Sequence, residues 1–372
     1  MYTQIRTSYT SLSDFAPDWI VPPGETISDV LDERGWTQTD FAKRADFSTK
    51  HVYQLLRGEA PITQDTAAKL EKVLGSTARF WVGLDTQYRE QLARRAELIE
   101  LEKDVGWLKE LPLADMKRFK WIKAGSTKAQ LVLECLKFFA VSSIEAWRNT
   151  YANPVAAYRA APKLKQVAPA VAAWLRQGER RAETIQCDDF EVANFKSALI
   201  TVRGLTLERS VEKFLPLLIA TCAKAGVAVV LEPTPMGCPI NGATKWLAPN
   251  KALIMLSVRG KTDDKLWFTF FHEAGHLLKH GKSLTFLDVL GEAGLNEDEE
   301  AEADVFARDF LIPQKVYAEF VSSDRPFSAA RVIEFAKRVG ISPGIIVGRL
   351  QYEKRIPYEN LNKLKARYVW SD

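Results

Sequence analysis

Cysteine and long apolar runs are both scarce in this sequence. Its 372 residues contain four cysteines, which show neither a Cys-x-x-Cys pair nor the spacing of a zinc ribbon. This pattern excludes a disulfide-rich secreted fold and predicts reduced thiols in a cytoplasmic protein. No run approaches the ~18 apolar residues of a membrane helix, and the N-terminus lacks the charged-then-apolar order of a signal peptide. The sequence therefore predicts no membrane association.

The sequence also has no large excess of positive or negative residues. The net charge is only +4, so any basic surface must be local, and 47% hydrophobic with 26% charged residues is typical of an ordinary globular protein. This composition excludes a disordered or fibrous chain. The length allows two or three domains, each with a core of its own.

Histidine is rare, and its distribution is uneven. Three of the four histidines, His272, His276 and His280, lie within nine residues. The first two belong to a His-Glu-x-x-His motif, which on a helix places both imidazoles on one face, where they can reach one Zn²⁺ at roughly 2.0–2.1 Å. Glu273 then becomes the candidate general base for a metal-activated water. Aromatic and leucine neighbours on both sides predict that this helix is buried.

A catalytic zinc usually takes a third protein ligand. The acidic stretch from Glu297 is followed by residues at i, i+3, i+4 and i+7 that predict an inward helix face: Ala303, Phe306, Ala307 and Phe310. Glu302 precedes Phe306 by one turn and is the favoured third ligand, with Glu299 at the edge of the face and Glu300 pointing away. His280 lies one turn beyond His276. It is expected either to pack in the protein interior or to contact a metal ligand without binding the metal itself.

Five short amphipathic helices are predicted between residues 21 and 87, with a tight turn at Asp46-Phe47 between the second and the third. Thr37, Ser48 and Thr63 are predicted helix caps. This is the helix-turn-helix arrangement, whose third helix enters the major groove of DNA. The predicted contacts with a double-stranded operator are Gln38, Thr49, Lys50, Tyr53, Gln54 and Arg57. A homodimer is expected because such proteins commonly bind paired half-sites.

The same segment resembles the DNA-binding domain of HigA-type antitoxins in the Xre-like regulator family. The resemblance rests on Pro-Gly-Glu at 23–25, Gly-Trp-Thr-Gln at 35–38, Leu-Leu-Arg-Gly at 55–58, Pro-Ile-Thr at 61–63, Leu-Glu-Lys-Val-Leu-Gly at 70–75 and Phe-Trp at 80–81. It implies DNA binding. This chain departs from the family at the turn before the third helix, where Asp46 adds a negative charge.

Residues 226–312 resemble the ImmA/IrrE family of zinc metallopeptidases. The matching residues are Gly242-Ala243, Trp246-Leu247, 251–254, the His-Glu-x-x-His helix, 302–307 and 311–313. The family implies zinc bound by His272, His276 and Glu302, with Glu273 as general base. Residues 340–358 are similar to the closing helical unit of long members of this family that carry an Xre-like head.

Together these patterns predict a mainly α, multidomain protein. The expected segments are an N-terminal arm (1–20), a helix-turn-helix domain (21–87), a helical connecting region (88–225), an α+β zincin-like metallopeptidase core (226–315) and a C-terminal helical closing unit (316–372). The expected function is a DNA-binding regulator whose zinc endopeptidase cleaves a protein substrate or toxin partner. Two alternatives remain: a non-enzymatic antitoxin or autorepressor that binds DNA and a toxin through an inert peptidase fold, and a sensor whose metal occupancy changes its DNA affinity.

Overall fold

A computed structural model describes residues 20–123, 125–152, 162–258, 262–280, 286–289, 297–322 and 326–368. The predicted N-terminal arm therefore lies outside the described residues, except for Ile20. Contacts divide the chain into two units, residues 1–103 and residues 104–372. Among the described helices, none has the length and apolar character needed to cross a membrane. The protein is mainly α and multidomain, as predicted.

The N-terminal unit is a bundle of five helices: α1 (Pro23–Glu33), α2 (Gln38–Ala45), α3 (Thr49–Leu56), α4 (Gln64–Leu74) and α5 (Ala78–Leu101). The three predicted caps are confirmed. The Thr37 hydroxyl accepts from the backbone N–H of Asp40 in a capping box, Ser48 caps α3 and Thr63 caps α4. Each cap satisfies an N–H that the helix itself leaves without a partner.

The turn between α2 and α3 depends on one residue in the left-handed region. Asp46 ends α2 with φ of 52°, and the chain then turns into Ser48 at the start of α3. Asp tolerates this backbone conformation better than most residues other than Gly. The apolar faces meet in one core around Phe41, Val52 and Trp81, each at most 1% exposed.

The fifth helix is longer than predicted. The fifth predicted helix and the start of the predicted connecting region form one continuous α5, which ends at Leu101 and is followed by a 3-10 segment, Glu102–Lys109. The predicted boundary between residues 87 and 88 therefore falls inside a helix. The two parts are continuous because no Pro interrupts α5, and the helix continues through its one glycine, Gly83.

The C-terminal unit begins with helices that precede a sheet: α6 (Leu113–Arg118), α7 (Lys128–Phe139), α8 (Ile144–Trp147), α9 (Pro162–Glu183), α10 (Val192–Leu205) and α11 (Val211–Ala223). A π-helical turn, Arg148–Ala152, follows α8. Three aromatic side chains of these helices are buried in the core: Trp147, Trp174 and Phe195. The indole N–H of Trp174 on α9 donates to the carbonyl of Glu232, 3.1 Å away, which ties α9 to the sheet.

Four described strands form the sheet in the order β1, β3, β2, β4: β1 (Val227–Glu232), β2 (Ile240–Ala248), β3 (Lys251–Ser257) and β4 (Phe286–Val289). Strand β1 pairs parallel to β3, with Val227 opposite Ala252, while β2 pairs antiparallel to both β3 and β4. The sequence shows strand patterns at residues 227–231, 243–247 and 252–258, which overlap β1, β2 and β3, whereas β4 is only four residues long and is not predicted. β4 occupies one edge of β2, so that edge is closed to an added peptide strand.

Five helices follow β3 and complete the unit: α12 (Asp263–Lys279), α13 (Glu297–Leu311), α14 (Gln314–Val321), α15 (Ala329–Val339) and α16 (Pro343–Tyr352), with a final 3-10 turn at Asn362–Leu364. Helix α12 is buried over nearly its whole length and contacts β2, β3, α13 and α16. Its apolar residues Trp267, Phe270 and Phe271 lie in the largest described core. The polar residues of α12 are consequently held inside the protein.

Candidate metal centre

The two histidines of the His-Glu-x-x-His motif meet on the buried face of α12. His272 and His276 are 4% and 1% exposed, and their Nε2 atoms are 3.0 Å apart. The helix starts with Asp263 and Asp264 in its first turn, where carboxylates interact favourably with the positive end of the helix dipole. It ends at His280, which has extended backbone angles. The predicted pairing of the two imidazoles is therefore present in the structure.

The third member of the cluster is Glu300 on α13. Its Oε2 lies 3.1 Å from the Nε2 of His272 and its Oε1 lies 3.6 Å from the Nε2 of His276. The ligating atoms of these three residues all fall within 4.8 Å of one another. The arrangement has two imidazoles and one carboxylate, the donor set of a His₂Glu zinc site.

The sequence placed Glu302 in this position and turned Glu300 away, and the structure reverses both placements. The Glu302 side chain is 60% exposed, and its Oε2 lies 3.6 Å from the Nε2 of His280 instead. Glu299, the alternative, is half-buried and lies outside the His272, His276 and Glu300 cluster.

The prediction and the structure differ because the buried face of α13 is centred on other residues than the sequence pattern indicates. Ala303 and Ala307 are fully buried, whereas Phe306 and Phe310 are only partly buried. At about 100° per residue, Glu300 lies close to the direction of Ala307. By the same geometry Glu302 lies on nearly the opposite side of the helix.

Each imidazole has a second partner on its other nitrogen. The Oδ1 of Asp304 lies 2.8 Å from the Nδ1 of His272, so a carboxylate can accept that N–H and leave Nε2 as the ligating atom. The Nδ1 of His276 lies 2.9 Å from the Nδ1 of His280. His280 thus supports His276 from outside the cluster, in line with the supporting role expected for it. No role for Asp304 follows from the sequence pattern alone.

Glu273 is completely buried next to the cluster. The Thr244 hydroxyl of β2 donates to its Oε2 over 2.5 Å, which fixes the carboxylate. Gly242, also on β2, leaves room for it, because a Cβ at that position would come within 2.5 Å of the Oε1 of Glu273. The sequence pattern includes Gly242 but not Thr244, and it predicts no role for either residue.

The local electrostatics favour cation binding. Burial lowers the pKa of His276, which favours the neutral imidazole that can bind a metal. Burial alone would raise the pKa of Glu300, but hydrogen bonds to His272 and His276 outweigh it and lower the pKa to about 2. Glu300 is therefore ionised near neutral pH beside two imidazoles, and these residues fit a divalent zinc ion.

The predicted DNA-binding residues lie on α2 and α3 of the N-terminal unit. The exposed ones are Gln38, Thr49, Lys50, Tyr53 and Arg57, whereas Gln54 is half-buried. Arg57 donates from Nη1 to the Tyr53 hydroxyl over 2.6 Å and pairs with Glu59 at 2.9 Å. Its guanidinium is therefore already partly occupied by neighbouring side chains.

Comparison with known proteins identifies both parts of the chain. Residues 27–81 match the helix-turn-helix family, and residues 224–351 match the IrrE N-terminal-like domain, a peptidase family. The uncharacterized HTH-type transcriptional regulator YddM of Escherichia coli (strain K12) is 32% identical over 66 residues, which is 18% of this chain and 70% of that protein.

Two solved structures also match a short part of the chain. A putative antidote protein of a plasmid maintenance system from Nostoc punctiforme is 30% identical, covering 22% of this chain and 91% of that one, with a TM-score of 0.22. An addiction module antidote protein of the HigA family from Coxiella burnetii is 29% identical, covering 23% and 92%, with a TM-score of 0.21.

The chain belongs to the helix-turn-helix transcriptional regulators, to which its N-terminal unit assigns it. More particularly, it joins an Xre-like head to an IrrE/ImmA-like domain of metallopeptidase fold. Both resemblances stated from the sequence are confirmed.

Proposed function

We propose that this regulator hydrolyses a peptide bond in a partner protein at a zinc centre held by His272, His276 and Glu300. The observation that carries the proposal is the convergence of these three side chains beside the buried Glu273. A purely structural cluster would leave two imidazoles and two carboxylates in the interior at a considerable desolvation cost. A zinc ion held by these residues would supply a Lewis acid and would lower the pKa of a water molecule.

The protein's own residues supply the remaining chemistry. Glu273 accepts the proton that the attacking water loses and passes it to the leaving amine, while Thr244 holds the carboxylate by its hydrogen bond. Asp304 orients His272 through Nδ1, and His280 orients His276 in the same way. No step requires a further cofactor.

DNA binding is assigned to the α2–α3 surface of the N-terminal unit. Thr49, Lys50 and Tyr53 are exposed on the first turns of α3, where a recognition helix meets base edges and phosphates. Gln38, at the first position of α2, is placed to touch a phosphate. We propose that a homodimer binds paired half-sites on an operator, and that the protein acted on is a repressor or a toxin-linked partner.

The test compares the wild type with Glu273→Gln and with the control Glu319→Gln, whose side chain is exposed on α14. The glutamine at 273 can still accept from Thr244 but cannot take a proton. We expect normal zinc content and DNA binding in all three proteins. New protein N-termini, labelled and identified by mass spectrometry in expressing cells, should appear with the wild type and the control only.

The same new N-termini in cells with Glu273→Gln would refute the enzymatic proposal. Zinc and DNA binding without any new N-termini in wild-type cells would leave the non-enzymatic regulator as the function.

A further inference from the structure

A cleft of about 720 Å³ opens beside the candidate metal centre. Its walls come from the first half of α12, from α13 and α16, and from the chain after residue 357. Asp304, which contacts His272, lies in one wall. A volume of this size is in the range of pockets that enclose a small organic ligand.

A buried carboxylate in the wall of the cleft lacks one partner. Asp264 is only 9% exposed and accepts from the Nζ of Lys365 at Oδ2 over 2.6 Å. Its Oδ1 has no hydrogen-bond partner among the described residues. This oxygen has almost no accessible surface, so it offers no hydrogen bond to a ligand in the cleft, and Asp264 instead holds Lys365 in the wall.

Aromatic side chains in the same cleft are unusually exposed. Tyr352 and Tyr358 are 69% and 64% exposed, and Phe268 is also an exposed large side chain. Aromatic rings stack readily on a planar heterocycle, and such stacking is insensitive to the exact ring system.

The cleft is also positively charged. Five cationic and two acidic side chains line it, a net charge of +3: Lys265, Arg308, Arg349, Lys365, Arg367, Asp264 and Asp304. Lys265 and Arg367 are exposed and form no ion pair within the described part of the chain. Among the described residues, the carboxylate that Arg308 approaches is that of Asp309, at 3.9 Å. These side chains favour a ligand that carries phosphate or another anionic group.

We propose that this cleft binds a small ligand of the nucleotide class, with a planar base and a phosphate tail. The base would stack on the tyrosines, while the phosphates would lie near Arg308 and Lys265. Exposed aromatic rings beside cationic side chains favour a ligand that carries both an aromatic ring and an anionic group. Because Asp304 is shared with the metal centre, the bound ligand lies next to that centre.

The test is titration calorimetry of the full-length, chelator-treated protein with ADP, and with pyrophosphate and adenosine as partial ligands. ADP should bind more tightly than either part. Tyr352→Ala and Arg308→Gln should each weaken ADP binding about tenfold. Both side chains are at least one-third exposed, so we expect the variants to fold. Lys337→Gln, an exposed lysine on α15, should bind ADP as the wild type does.

A further variant separates this proposal from the proposed zinc centre. His276→Ala should lose zinc and keep ADP affinity, because the cleft does not include that side chain. Pyrophosphate binding as tightly as ADP would overturn the proposal, since the base would then contribute nothing. Binding of an acidic peptide such as hexaglutamate, with no binding of ADP, would also overturn it and assign the cleft to a peptide.

Discussion

The identity of the third zinc ligand can be tested with two nearly identical substitutions. Glu300→Gln and Glu302→Gln make the same chemical change two residues apart on α13. Both remove a negative charge and keep the size of the side chain. Only Glu300 has its oxygens within 3.6 Å of both imidazole Nε2 atoms. The two variants therefore distinguish the structural assignment from the one made on the sequence.

The size of the effect follows from what Glu300 contacts. Loss of a group that merely orients a ligand typically weakens metal binding 10- to 100-fold, so loss of a direct ligand should cost about 100-fold or more. This corresponds to roughly 2.7 kcal/mol or more of binding free energy. Glu302 is 60% exposed, and its Oε2 lies 3.6 Å from the Nε2 of His280. Its loss should change the zinc affinity by no more than about threefold, since an exposed charge is well screened.

The assay is zinc competition against a chromophoric chelator, together with elemental analysis of the purified proteins. Thermal unfolding without metal serves as the control for folding. It should change little in Glu302→Gln, and for Glu300→Gln the expected result is a folded protein that has lost zinc. A strong loss of zinc in Glu302→Gln with normal affinity in Glu300→Gln would refute the assignment of Glu300 and restore the prediction from the sequence.

Three further predictions concern the surroundings of the site and the DNA-binding surface. Gly242→Ala places a methyl group 2.5 Å from the Oε1 of Glu273 and should destabilise the protein by about 1–3 kcal/mol in urea titrations; an unchanged midpoint would contradict this contact. Burial raises the pKa of Asp263 to about 6 from 3.8, so its stabilising protonated form is lost as pH rises through that interval. Between pH 4 and pH 7 the wild type should therefore lose about 2 kcal/mol more stability than Asp263→Asn, and parallel pH profiles would disprove the shift. Lys50→Ala should reduce the salt dependence of DNA binding by about one phosphate contact, measured by fluorescence anisotropy on a DNA duplex, while Lys72→Ala on α4 should not; equal slopes for the two variants would remove Lys50 from the interface.

Local patterns predicted much of the fold because they depend on short-range physics. The caps at Thr37, Ser48 and Thr63 each require only a hydroxyl and the backbone of the next turn. Strand β1 follows from the β-branched run at residues 227–231, and β2 and β3 follow from two candidate stretches separated by the turn at residues 249–251. β4 was missed because four residues carry too little pattern, and its position depends on pairing with a distant β2.

The sequence by itself determined that His272 and His276 share one side of a buried helix, because the spacing i and i+4 fixes that on any α-helix. Only the tertiary structure decided which carboxylate joins them. Gly275 lets α13 come so close that a Cβ there would lie 3.1 Å from the Cα of Ala303. This contact helps set the rotation of α13, which points Glu300 at the imidazoles and leaves Glu302 outside. Periodicity describes each helix about its own axis, but the rotation of one helix against another depends on packing between residues far apart in the chain.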